Sequence, residues 1–94
     1  MRFSRLAPAP DVLIQTVAGE AVLLDLRSQK YFGLNEVGTR AWQLLQETGD
    51  ARTVRERLLQ EYAVAETELD RDLRDLFERL LKAGLVEVGS GETP

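Results

Sequence analysis

Few side chains in this 94-residue sequence have the chemistry for catalysis. It contains no cysteine and no histidine, which removes thiolate nucleophiles, thiolate and imidazole metal ligands, disulfides and the usual general base near neutral pH. A hydroxyl nucleophile activated by lysine remains conceivable, but the lysines are Lys30 and Lys82, and neither falls in a recognisable motif. The densest run of ionisable groups is Asp70, Arg71, Asp72, Arg74, Asp75, Glu78, Arg79 and Lys82. Its spacing is that of a solvated helical face with i to i+4 pairs worth about 0.2–0.5 kcal/mol each, not that of an acid/base pair. The sequence therefore predicts no independent enzyme, no metal and no cofactor.

Recognition is better served. In Tyr31-Phe32-Gly33-Leu34-Asn35-Glu36-Val37-Gly38-Thr39-Arg40-Ala41-Trp42 a short apolar run ends at Asn35 and a helical pattern starts at once. Asn is a favoured helix N-cap because its side-chain oxygen accepts an orphan N–H of the first turn, and Val37, Ala41, Leu44 and Leu45 recur at helical spacing. Such a junction leaves a strand edge beside helical surface, a geometry suited to gripping a peptide.

Composition bounds the rest. With 44% hydrophobic residues the chain builds one modest core and one domain. The N-terminal stretch lacks an apolar core long enough for a signal peptide and no run is long enough to span a membrane, so a cytoplasmic protein is expected. Twelve basic residues against sixteen acidic give a net charge of −4, opposite to the footprint of a nucleic-acid binder.

Residues 1–11, with Pro8 and Pro10, read as an extended segment, residues 12–88 as the domain, and residues 89–94 as a flexible tail. Val12 to Val17 and Ala21 to Leu26 form a hairpin about Ala18-Gly19-Glu20, with Val22, Leu24 and Leu26 expected to face the core. Tyr31 to Leu34 completes a three-stranded meander as its edge. Three helices follow. The first runs from about Glu36 to Glu47 and stops near Gly49; the second starts at a capping box on Thr53; the third starts near Thr67 and ends at Ala83-Gly84. On the third, Leu69, Leu73, Leu76 and Leu80 make an apolar stripe with Phe77 and Leu81 alongside. Asp70 and Arg74 share a flank with Phe77 and Leu81, and on residue type alone Phe77 reads somewhat more readily as core packing than as a direct ligand contact. Leu85 to Val88 forms a brief extended segment. The fold class is α+β, an N-terminal three-stranded antiparallel sheet followed by three helices, winged-helix-like. A winged-helix DNA-binding regulator is the obvious rival, but the third helix carries more acid than base. A fixed non-catalytic subunit of a larger enzyme is a second rival.

Ala21-Val22-Leu23-Leu24-Asp25-Leu26, the Tyr31 to Trp42 segment and the closing Leu80-Leu81-Lys82-Ala83-Gly84-Leu85-Val86 resemble the PqqD-like family of small peptide-binding domains, also called RiPP recognition elements. The resemblance spans Val12 to Val88. It implies no catalysis, and binding of the leader region of a ribosomally made precursor peptide for presentation to a modifying enzyme or leader peptidase. The leader would add as a strand to the third strand in the groove shared with the third helix. Carried onto this chain, Tyr31, Phe32, Gly33 and Leu34 supply the pairing edge, and Asp70, Arg74, Phe77 and Leu81 the opposite wall. Stand-alone members include PQQ-synthesis protein D and the leader-binding half of split lasso-peptide proteases. An unpaired edge can also join its own copy, so a homodimer through the third strand is a further expectation.

Overall fold

The computed structural model describes residues 5–88, so the expected tail lies outside the described residues. The elements are β1 (Leu6–Pro8), β2 (Val12–Val17), β3 (Glu20–Asp25), β4 (Lys30–Leu34), α1 (Glu36–Thr48), α2 (Ala51–Glu61), α3 (Glu66–Lys82) and β5 (Val86–Val88). Strands β2, β3 and β4 form an antiparallel meander in that order, as the sequence predicts. Ala18 and Gly19 both take positive φ, 54° and 84°, the backbone twist that a two-residue hairpin loop requires.

The sheet's inward face is offset by one residue from the expectation. Ala21, Leu23 and Asp25 are buried, whereas Val22 and Leu26 are exposed and Leu24 is half-buried. Asp25 explains the reversal. Its Oδ1 accepts the Arg27 backbone N–H at 2.9 Å, its carbonyl accepts the Gln29 N–H, and the Arg27 guanidinium reaches the Gly84 carbonyl at 2.8 Å. A carboxylate organising a turn at the rim of the core is satisfied while buried, so it does not mark the solvent face.

Asn35 caps α1 as expected, accepting the Gly38 N–H at 2.8 Å, and Gly49 closes that helix in the left-handed conformation. Helix α2 starts earlier than expected. Asp50 is its N-cap, accepting from the Arg52 N–H at 3.0 Å and from the Thr53 hydroxyl at 3.1 Å, so Thr53 supports the cap and does not form it. Helix α3 begins at Glu66 after Ala65, with no side-chain cap, and Thr67 lies within its first turn.

The core joins the sheet's inner face to the three helices through Leu23, Trp42, Leu44, Leu45, Leu58, Leu73, Phe77 and Leu80. The N-terminal extended segment belongs to it. Strand β1 pairs antiparallel with β5, Pro8 opposite Val86 and Leu6 opposite Val88, and Leu6 is buried. The two ends of the domain are thereby tied across the helical layer.

Candidate functional site

Strand β4 pairs with β3 on one side only; among the described residues its other edge has no strand beside it. The β3–β4 register is continuous from Ala21 opposite Leu34 to Asp25 opposite Lys30, with Gly33 opposite Val22 and no bulge. A Cβ at Gly33 would meet nothing within 4 Å. The glycine is thus needed neither for a bulge nor to relieve crowding, and its bare backbone faces open space.

That edge opens into a cleft of about 420 Å³ between β4 and α3. Phe32, Gly33 and Leu34 form one side and Asn35, Val37 and Gly38 one end. The facing wall is a stripe of α3, with Leu69, Leu73 and Leu76 at its base and Glu68, Asp72, Asp75 and Arg79 along its lip. The ring of Phe32 and the guanidinium of Arg79 meet across the cleft, 5.1 Å from Cζ to ring centroid. Asp75 holds Arg79 from its own helix at 3.8 Å.

Of the expected site residues, Phe32, Gly33 and Leu34 line the cleft, and Tyr31 stands beside them on the same strand, 73% exposed. The expected helical wall is not brought to it. Phe77 is fully buried in the core, Arg74 is exposed, Leu81 is half-buried, and none of these three nor Asp70 is among the lining residues. At 100° per residue, Asp70, Arg74 and Leu81 fall on the flank of the buried stripe opposite to Glu68, Asp72, Leu76 and Arg79. Asp70 turns toward α2, where Arg55 donates from Nε to one carboxylate oxygen and from Nη2 to the other, and also to Glu66. The Arg55 hydrogen bonds hold the Asp70 carboxyl below the usual carboxylate range and push the Arg55 guanidinium still higher. The clasp ties the Asp70 flank of α3 to α2, away from the strand.

The lip has its signal in the sequence, largely within the charged run expected to be a solvated face: Glu68, Asp72, Asp75 and Arg79 are spaced by four, three and four residues, a single helical stripe. Nothing in this arrangement resembles a reaction centre. Among the described residues no group of acidic side chains is placed to hold a metal ion, and no helix is long and apolar enough to cross a membrane.

Fold and cleft together define a small α+β domain that offers an open strand edge beside an apolar groove. The chain belongs to the family described as coenzyme PQQ synthesis protein D (PqqD), whose profile matches residues 20–86. It is similar to the solved structure of TbiB1 in complex with the TbiA(beta) leader peptide, at 33% identity and a TM-score of 0.80 over 89% of this chain and 98% of that one. It is also similar to a lasso peptide synthetase B1 complexed with its leader peptide, at 27% identity and a TM-score of 0.76 over 89% of this chain and 99% of that one. No curated protein matches the chain.

Proposed function

We propose that this protein is a non-catalytic, cytoplasmic adaptor that binds the leader of a ribosomally synthesised precursor peptide as an added strand on β4. It presents that peptide to a modifying enzyme or leader peptidase. The observation that carries the reading is the unpaired edge of β4 beside a cleft lined by Phe32, Leu34, Leu69, Leu73 and Leu76. Two relatives of the same fold, each covered almost end to end, were solved with leader peptides bound, which supports it.

The energetics assign the parts. Backbone hydrogen bonds to the edge contribute about 0.5–1.5 kcal/mol each, against an association cost of about 4–15 kcal/mol. Strand pairing alone is insufficient. Burial of two or three apolar leader side chains adds about 1.5–3 kcal/mol each and brings the total to micromolar or tighter binding. Pairing along Tyr31 to Leu34 sets register, and the apolar floor sets affinity. The uncovered edge also gives the free protein a route to pair with a second copy, which the leader would displace.

Titration of the protein with the TbiA(beta) leader peptide, followed by amide NMR, tests the reading. Shifts are expected at Tyr31 to Leu34 and along the Leu69, Asp72, Leu76 and Arg79 stripe. Shifts confined to α2 or to the chain ends would overturn it. Tight, salt-dependent binding to duplex DNA would favour the regulator instead.

A further inference from the structure

The lip of the cleft is not electrically balanced. Three carboxylates, Glu68, Asp72 and Asp75, line it with one guanidinium, Arg79. Asp75 and Arg79 form an ion pair at 3.8 Å and Arg79 also lies over Phe32, so that end of the cleft is neutralised. Glu68 and Asp72 have no such partner: among the described residues neither makes an ion pair or a hydrogen bond with another side chain. Arg71, one turn from Glu68, does not reach it.

Local helix physics accounts for half of this. Glu68 lies in the first turn of α3, where a negative charge complements the exposed N–H groups of the helix end. Asp72 lies beyond that turn, where the benefit has faded, and Asp is a poor helix former. It stands four residues after Glu68, about 6 Å along the axis, where the two charges repel. Both side chains flank the apolar base formed by Leu69 and Leu73 and face the open edge of β4.

We infer that the cleft selects a leader segment in which apolar residues are accompanied by a lysine or arginine, whose cation is received between Glu68 and Asp72. The inference rests on the strand-addition reading and adds a charge requirement to it. The cation removes the repulsion between the two carboxylates, and it does so beside a partly desolvated floor, where an ion pair is screened less than on open surface. An acidic leader residue at the same place is rejected by both carboxylates, so the pair works by exclusion as well as by attraction.

The test is a panel of TbiA(beta) leader peptides carrying Lys or Glu at each position in turn, titrated by calorimetry into the wild-type protein and the Glu68→Gln/Asp72→Asn variant. At one or two positions the wild type is expected to favour Lys over Glu by about three- to fivefold, in the range of exposed ion pairs. The preference should shrink with added salt and fall below about twofold in the variant. Both substitutions are close in size to the residues they replace, and the circular dichroism melt checks that the variant folds. Equal tolerance of Lys and Glu at every position would overturn the charge requirement while leaving strand addition standing, as would a preference that survives in the variant. If no peptide of the panel perturbs the β4 amides, the strand-addition reading falls and this inference falls with it.

Discussion

The guanidinium of Arg79 lies 5.1 Å from the centre of the Phe32 ring, spanning the cleft from α3 to β4. The contact turns the ring face toward α3 at the very edge where a strand can be added. Phe32 is packed against the core from one side and still half-buried overall, so its ring can be shared between the protein and a ligand. The cation over the ring contributes about 0.5–1 kcal/mol, small enough for a ligand side chain to displace it.

Phe32→Ala is therefore expected to weaken binding of a leader peptide by tenfold or more, since an apolar contact of this size is worth about 1.5–3 kcal/mol and about 1.4 kcal/mol is a factor of ten. Calorimetric titration measures it. An unchanged affinity in a folded variant would remove Phe32 from the binding floor.

Leu76 and Phe77 are neighbours in sequence with opposite roles. Phe77 has no exposed surface, whereas Leu76 is half-buried and lines the cleft. Phe77→Ala is expected to cost about 3–5 kcal/mol of stability, a large share of the roughly 5–15 kcal/mol that holds a domain together. Leu76→Ala should keep most of the stability and lose leader affinity. Denaturant melts and titrations of the two variants separate the roles, and a Phe77→Ala protein that melts normally would contradict its place in the core.

That pair also marks where the sequence stops being legible. The Asn35 cap, the Gly49 stop and the meander are written in local chemistry, because a cap or a turn depends on residues a few positions apart. The apolar stripe of α3 is equally local. Which flank of that stripe faces β4 depends on how α3 docks against α2 and the sheet, and in the docked helix Asp70 is turned to Arg55 of α2, fifteen residues away in sequence. Periodicity gives a stripe and no handedness relative to its surroundings, so Leu76 and Phe77 exchange roles and the wall lies on the flank opposite Asp70, Arg74 and Leu81. The sheet's reversed face has a different origin: Asp25 looks like a solvent marker, yet its own carboxylate is satisfied locally by Arg27, and only the reach of Arg27 to the Gly84 carbonyl is long-range.

Acid should loosen the domain through a few identifiable carboxylates. Arg40 donates to Glu61 at 2.8 and 2.9 Å and holds its carboxyl below the usual range; Arg55 does the same to Asp70, and the Arg27 backbone N–H does so to Asp25. In each case the folded state releases its proton more readily than the unfolded one. The stabilisation is complete above the unfolded carboxyl values, about 4, and is lost as pH falls through the lower folded values. Melting temperature is expected to stay flat from pH 7 to about 5 and to drop below about 4. Asp70→Asn should melt lower at neutral pH and fall less steeply in acid. A parallel curve for that variant would show that the Arg55 clasp contributes nothing.

The junction between strand and helix invites a coupled test. The Asn35 side chain accepts the Gly38 N–H at 2.8 Å, and a Cβ on Gly38 would stand 3.2 Å from that same Oδ1 and 3.4 Å from Cδ2 of Leu34. Alanine is the better helix former by about 0.8–1 kcal/mol, yet Gly38→Ala is expected to yield no gain, because the new methyl crowds the cap. Asn35→Ala removes the cap at a cost of about 0.5–2 kcal/mol, and with it the atom that the methyl meets first. Gly38→Ala should therefore be more favourable in the Asn35→Ala background than in the wild type, a non-additivity that a double-mutant cycle of denaturant melts reads directly. Leu34 and Asn35 both line the cleft, so the crowded Gly38→Ala protein should also bind the leader less tightly than its stability alone would suggest. Strict additivity in the cycle would mean that the glycine is not there to make room for the cap.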